Sequence, residues 1–250
     1  MSYSKYLNDN FLAFAHRGGN DFGPENSLKS FLGACEIGYK YLETDVHLSK
    51  DGHLVAFHDE SLDRVTNKTG LIKDLKLSDI KKAKIDNSEE IPSLIELLDN
   101  IPNCFFNIDC KSDDTVIPLI EVIKKFSLLD RVCIGSFSQK RINFIRQSLG
   151  SKVKTSMGPS EILLAKILSN LPIKKFFESA YASLPIRRYG IELLNKKNIN
   201  FLQKNNQKVI AWTINDESEM RLLIERGVDG IMTDKILLLK KILTEQNKWQ

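Results

Sequence analysis

Short apolar runs alternate with helical stretches along almost the whole chain, and this alternation constrains the fold more than any other feature. Candidate strands occupy residues 11–16, 40–47, 104–110, 131–136, 152–157, 178–184, 208–213 and 228–232. Helical stretches fall between them at 26–38, 92–99, 114–126, 138–148, 160–169, 189–197, 216–226 and 234–246. Within these stretches apolar residues recur at helical spacing, as at Ile142, Ile145 and Leu149. Ser138, Asp216 and Asp234 precede helical runs as cap candidates, and Gly150 and Gly227 follow them. Strands alternating with helices make a mainly parallel sheet covered by helices. Eight such units in 250 residues fit a closed (β/α)8 barrel, the TIM barrel, as a single domain over residues 1–250. The alternative is an open doubly wound sheet, but no GxGxxG fingerprint follows the first strand.

Composition removes several function classes. Hydrophobic residues make up 42% and charged residues 27%, which excludes disorder for most of the chain. Lys and Arg exceed Asp and Glu by 36 to 32, an excess too small and scattered for a nucleic-acid protein. No apolar run reaches the ~18 residues of a membrane span. The N-terminus lacks the apolar core of a secretory signal, and Phe11 to Ala15 runs straight into His16 and Arg17 as a buried strand would. The chain is therefore expected to be cytoplasmic. Cys35, Cys104, Cys110 and Cys133 form no CxxC pair and are expected to be reduced and buried.

One segment breaks the alternation. In SKDGHLVAFHD, residues 49–59, Asp51-Gly52 is a strong hairpin-turn signal. Residues 53–58 should fold back antiparallel on the second strand and bring His58 level with Glu43 to Asp45. Residues 60–91 then read as an irregular, charged insertion at the C-terminal end of a strand, where barrel enzymes keep functional loops.

Polar residues inside strands are costly unless paired, so their placement is informative. Strand side chains alternate faces. Glu43 and Asp45 therefore share one face, and Asn107, Asp109 and Lys111 share another. If both faces turn inward, three carboxylates and a lysine converge. Clustered carboxylates repel unless a cation sits among them. Oxygen donors favour one hard divalent cation, Mg2+ or Ca2+. Zinc is the weaker reading, because no HxxxH or HExxH spacing occurs. His16 and His58 end strands near this cluster and suit a general base and a general acid. His47 and His53 lie on the hairpin and are expected to be solvated, with His47 a weak ligand candidate. Arg17 offers a fork for phosphate oxygens, and Lys111 is a second anion contact. Trp212 and Phe137 fit either an apolar substrate wall or ordinary packing.

Several motifs carry a resemblance. AHRGG and PEN within residues 15–26, LETDVHLSKDGHLVAFHD at 42–59, LDRVTNKTG at 62–70, IPSLIELL at 91–98, NIDCK at 107–111, GSF at 135–137, AWTIN at 211–215 and GVDGIMTD at 227–234 fall in order along nearly the whole chain. In them the chain resembles the glycerophosphodiester phosphodiesterase family. The resemblance implies a (β/α)8 barrel that hydrolyses glycerophosphodiesters, such as glycerophosphocholine or glycerophosphoethanolamine, to glycerol 3-phosphate and an alcohol. It implies His16 and His58 as the acid–base pair, and Glu43, Asp45 and Asp109 as ligands of a divalent metal. It implies Arg17 and Lys111 as phosphate contacts, and residues 60–91 as the family's insertion. Two positions depart from the family pattern: Asp109 replaces the usual Glu, and Ser27 a frequent Thr.

Two other functions fit the same barrel. A lysophospholipase D-like enzyme would need an apolar approach surface, and residues 160–188 mix Leu, Ile and Phe with Lys and Arg in a way that permits peripheral membrane contact. A catalytically inactive barrel that binds a phosphate ligand is the non-enzyme reading. Against it, both histidines, all three acids, Arg17 and Lys111 are present together.

Overall fold

The computed structural model describes residue 7, residues 9–171 and residues 177–249. Among these, eight parallel strands follow one another around a barrel. They are β1 (Leu12–His16), β2 (Tyr41–Leu48), β3 (Phe105–Cys110), β4 (Val132–Gly135), β5 (Lys154–Thr155), β6 (Tyr181–Leu184), β7 (Lys208–Ala211) and β8 (Gly230–Thr233). Each pairs with its sequence neighbour, and β8 pairs with β1. Closure between β5 and β6 is thinner. It consists of one parallel bridge from Ser156 to Tyr181 and flanking backbone bonds from Ala180 to Thr155 and from Met157 to Tyr181. The fold is the (β/α)8 barrel.

The inner face of the barrel changes character along its axis, and side-chain alternation explains how. Phe14 and His16 lie on one face of β1, as do Tyr41, Glu43 and Asp45 on β2, and Phe105, Asn107 and Asp109 on β3. The N-terminal end of this face is apolar. Phe14 packs on Tyr41 at 5.2 Å between ring centroids and on Tyr181 at 6.0 Å, and Tyr41 stacks on Phe105 at 5.5 Å. Burying such side chains stabilises the fold by roughly 1.5–3 kcal/mol each. The C-terminal end of the same face carries the charged residues. A packed aromatic floor thus supports a polar mouth, and the Tyr181 hydroxyl joins the two by donating to Asn107 Oδ1 at 2.6 Å.

The opposite strand faces pack against the helices. Helix Leu28–Glu36 is capped by Ser27, and helix Leu94–Asn100 by a reciprocal Ser93–Glu96 capping box. Ser138 and Asp216 cap their helices as expected. Asp234 does not cap; its carboxylate is bonded elsewhere.

The Asp51-Gly52 turn forms as expected, and Leu54–Ala56 pairs antiparallel with β2. The insertion is less irregular than its charge suggests. It holds a short helix, Leu77–Ile80, and a two-residue ladder between Lys84–Ile85 and Glu89–Glu90. Val55, Phe57, Leu62, Ile72, Ile80 and Ile85 form part of its own small core.

The expected helix at 189–197 is displaced. Tyr189 and Gly190 have φ of +51° and +78° and turn a hairpin between Arg187–Arg188 and Ile191–Glu192. Two left-handed residues in sequence are what a tight hairpin turn requires, and they end any helix there. The helix instead runs over Lys196–Lys204, capped by Asn195.

All four cysteines are free. Three are buried as expected, but Cys35 is only half-buried and sits 3.2 Å from Cys104. Helix Pro159–Leu168 exposes Leu163 and Ile167. Of the stretch 160–188, residues 172–176 lie outside the described residues. No helix among the described residues is long and apolar enough to cross a membrane.

The turn after β1 needs glycine. Gly18 has φ of +86°, and a Cβ there would come within 2.4 Å of Ser30 Oγ and 2.9 Å of the Phe31 nitrogen. Gly18→Ala is expected to destabilise the protein by about 1–3 kcal/mol, read as a lower urea midpoint at unchanged slope. An unshifted midpoint would show that the turn relaxes freely.

Candidate active site

The residues singled out from the sequence meet at the C-terminal end of the barrel. His16, Arg17, Glu43, Asp45, His58, Asp109, Lys111, Phe137 and Trp212 all line one cleft of about 900 Å3, open to solvent.

His16 is the last residue of β1, and the chain turns sharply behind it. Arg17 has φ of +53°, unusual for a residue with a side chain. This conformation aims the Arg17 backbone N–H at Glu43 Oε2, 3.1 Å away. The guanidinium pairs with Glu25 at 3.1 Å and lies 3.2 Å from Asp45 Oδ2. The buried Nε–H is not aligned on that oxygen or on any other acceptor among the described residues. The proximity is therefore an ion pair without a hydrogen bond, and one donor is left over.

Each histidine is oriented by a carboxylate. His16 Nδ1 lies 2.6 Å from Asp234 Oδ1, and His58 Nδ1 lies 2.6 Å from Asp59 Oδ1. Burial raises the Asp234 carboxyl, but the contact with His16 outweighs it and holds the acid below its usual range. A carboxylate can only accept, so Nδ1–H donates in both pairs and Nε2 is the remaining nitrogen, which in His16 lies 3.8 Å from Glu43 Oε2. Burial disfavours the charged form of His16, yet Glu43 and Asp234 prevail and raise its pKa. Asp59 is also bonded to Arg64, which makes two bonds to Glu25, at 2.6 and 3.1 Å. The insertion thereby ties the His58 loop to the loop after β1.

His47 is not solvated. It is buried, and its Nε2 bonds the His58 carbonyl oxygen at 2.9 Å. Burial holds its pKa below the usual value. It braces the backbone of a catalytic candidate and is not among the residues lining the cleft that holds the acids.

The three acids arrive as strand alternation requires. Asp45 and Asp109 are register partners across β2 and β3, and Glu43 is paired with Asn107. Lys111 spans the first two, with Nζ 2.7 Å from Asp45 Oδ1 and 2.8 Å from Asp109 Oδ2. Burial opposes the Lys111 charge, but the two carboxylates raise its pKa well above the usual lysine range. Burial likewise opposes the Asp45 charge, but Lys111 and Arg17 hold it low. Glu43 has weaker support. Its burial, with Asp45 nearby, pushes its pKa up to about 7. Among the described residues no three His, Cys, Asp or Glu side chains are gathered into a ready-made metal cage. The donor set nevertheless suits a hard cation. It is all oxygen, it is buried, and one of its three acids lacks a full counter-charge.

Phe137 and Trp212 meet edge to face at 5.7 Å and form an apolar wall of the cleft. Trp212 is half-buried and Phe137 is 54% exposed, so neither is an ordinary core residue.

The sequence pattern of the glycerophosphoryl diester phosphodiesterase family matches residues 16–238, which spans every one of these positions. The chain belongs to this family. It is 31% identical over 249 residues to a probable glycerophosphodiester phosphodiesterase 2 of Mycobacterium tuberculosis, covering 95% of this chain and 92% of that one. It is 33% identical over 241 residues to a glycerophosphodiester phosphodiesterase of Caldanaerobacter subterraneus, covering 89% and 93%. An Oleispira antarctica phosphodiesterase, solved in complex with the product sn-glycerol-3-phosphate, has the same fold with a TM-score of 0.76. The two are 24% identical, with 93% of this chain and 96% of that one covered. The enzyme is thus a glycerophosphodiester phosphodiesterase, a phosphoric diester hydrolase.

Two residues of this phosphodiesterase site went unassigned in the sequence. Asp59 directly follows His58, which was the available signal. Asp234 lies 218 positions from His16 and read as a helix cap; only the fold brings them together.

Proposed function

We propose that the enzyme hydrolyses glycerophosphodiesters to sn-glycerol 3-phosphate and an alcohol, with His16 and His58 as the acid–base pair and one divalent cation as cofactor. The observation that carries this reading is the pair of carboxylate-oriented histidines flanking the cleft that Arg17 and Lys111 also line. Glu43, Asp45 and Asp109 would hold the cation, Mg2+ or Ca2+. When bound, the cation polarises a phosphoryl oxygen. Arg17 supplies its uncommitted N–H, and Lys111 its charge, to the equatorial oxygens as negative charge grows there. One histidine takes a proton at Nε2 from the attacking hydroxyl, and the other delivers one from Nε2 to the leaving oxygen. Asp234 and Asp59 keep each Nδ1 protonated, so the reactive nitrogen is always Nε2. Phe137 and Trp212 exclude water from one side of the substrate's carbon chain. The product held in the Oleispira neighbour is the one this reaction releases.

The test is product analysis with glycerophosphocholine, followed by an enzyme-coupled assay for glycerol 3-phosphate. Glycerol 3-phosphate and free choline are expected in equal amounts. Phosphocholine and glycerol would mean that the other ester bond is cut, and no product from any glycerophosphodiester would remove the reading.

A further inference from the structure

We propose that Arg188 forms an anion subsite for the alcohol moiety, so that the enzyme favours glycerophosphodiesters whose alcohol carries a further negative charge. This rests on the cleft being the glycerophosphodiester site. Arg188 lies on the hairpin after β6 and lines the same cleft as Arg17 and Lys111. Its guanidinium carbon sits 5.7 Å from the centroid of the Phe137 ring and 5.4 Å from that of Tyr189. Lys111 Nζ lies 5.8 Å from the centroid of the same Phe137 ring. Phe137 is therefore flanked by two cations with different commitments. Lys111 is bound to two carboxylates. The Arg188 guanidinium makes no hydrogen bond or ion pair among the described residues. The acid of its own hairpin, Glu192, is committed to Arg226 at 2.7 Å.

Aromatic faces steady a guanidinium without using its in-plane donors, so the planar fork remains available to oxygen ligands. Arg17 and Lys111 already serve the scissile phosphate. A third cation in the cleft has no charge to meet on glycerol, which is neutral. The part of these substrates whose charge varies is the alcohol. Arg188 attracts an anionic alcohol and repels a quaternary ammonium, although Phe137 and Trp212 would otherwise favour one.

The test compares kcat/KM for glycerophosphoinositol 4-phosphate and glycerophosphoinositol, which differ by one phosphate. The native enzyme is expected to favour the phosphorylated diester roughly three- to tenfold, as a partly exposed ion pair allows. The preference should shrink as NaCl rises, because the contact is screened. Arg188→Gln should bring the ratio close to one, and Arg188→Lys should keep part of the preference. Arg188→Glu should shift selectivity toward glycerophosphocholine. Arg188 is on a surface hairpin, so these variants are expected to fold, with circular dichroism as the check. A native ratio near one, or a preference that survives Arg188→Gln, overturns the subsite while the phosphodiesterase reading stands. An equal fall on both diesters in Arg188→Gln places the arginine against the shared glycerol and also overturns it. No turnover of any diester removes the phosphodiesterase reading and this one with it.

Discussion

His16→Ala and His58→Ala are each expected to lower kcat by a factor on the order of 10² to 10⁴, with KM changed far less. Each ring is fixed at Nδ1 by a carboxylate 2.6 Å away, and each faces the cleft that Arg17 and Lys111 line. Such a ring does work only when a proton moves, so its loss is felt in the transition state more than in binding. Neither side chain is a keystone of the fold: both are partly exposed at the barrel mouth. Asp234→Asn should produce a fraction of the His16→Ala loss, because the amide lets the ring adopt the wrong tautomer. It should add little to His16→Ala in the double variant, since both changes act through one ring. Native-like turnover in both alanine variants would remove the acid–base pair. A full, additive Asp234→Asn loss on top of His16→Ala would give Asp234 a role of its own in the chemistry.

How legible the site is depends on what kind of physics placed each residue. Glu43, Asp45, Asp109 and Lys111 were readable because strand alternation is a local rule, and carboxylates inside apolar strands are costly without a purpose. His58 was readable because Asp51-Gly52 dictates a turn and the register follows from it. Asp234 was not. A carboxylate ahead of a helical run is most simply a cap, and only barrel closure through the β1–β8 pairing sets it against His16. His47 reads as solvated because nothing local says that the insertion covers the hairpin. The hairpin at Tyr189-Gly190 is hidden in the sequence because Leu and Ile around it keep a helical period, while the turn overrides that period with two positive φ values. Arg188, carried on that hairpin, was invisible for the same reason. What local sequence rules encode could be read directly, and what long-range closure creates could not.

Lys111→Ala is expected to lower kcat/KM about 10²–10³-fold and, at the same time, to enlarge the thermal stabilisation that Mg2+ or Ca2+ gives the protein. The two effects have one cause. Lys111 is the main counter-charge of Asp45 and Asp109, and it also lines the cleft, where it is the proposed phosphate contact. Without it two buried acids stand next to Glu43, whose own pKa burial and the neighbouring Asp45 push up to about 7. The variant should therefore be less stable than the native protein in EDTA. A divalent cation then meets three acids with one competitor fewer, binds more tightly, and by mass action raises the melting temperature further. In the native enzyme EDTA should abolish glycerol 3-phosphate release, and Mg2+ or Ca2+ should restore it. In Lys111→Ala the cation should restore stability without restoring turnover, because a bound metal replaces the charge of the lysine but not its contact with the substrate. If neither protein is stabilised by either metal, and EDTA leaves release intact, the three acids serve Lys111 and Arg17 alone. If the metal shift is smaller in the variant, Lys111 builds the cation site and does not compete for it.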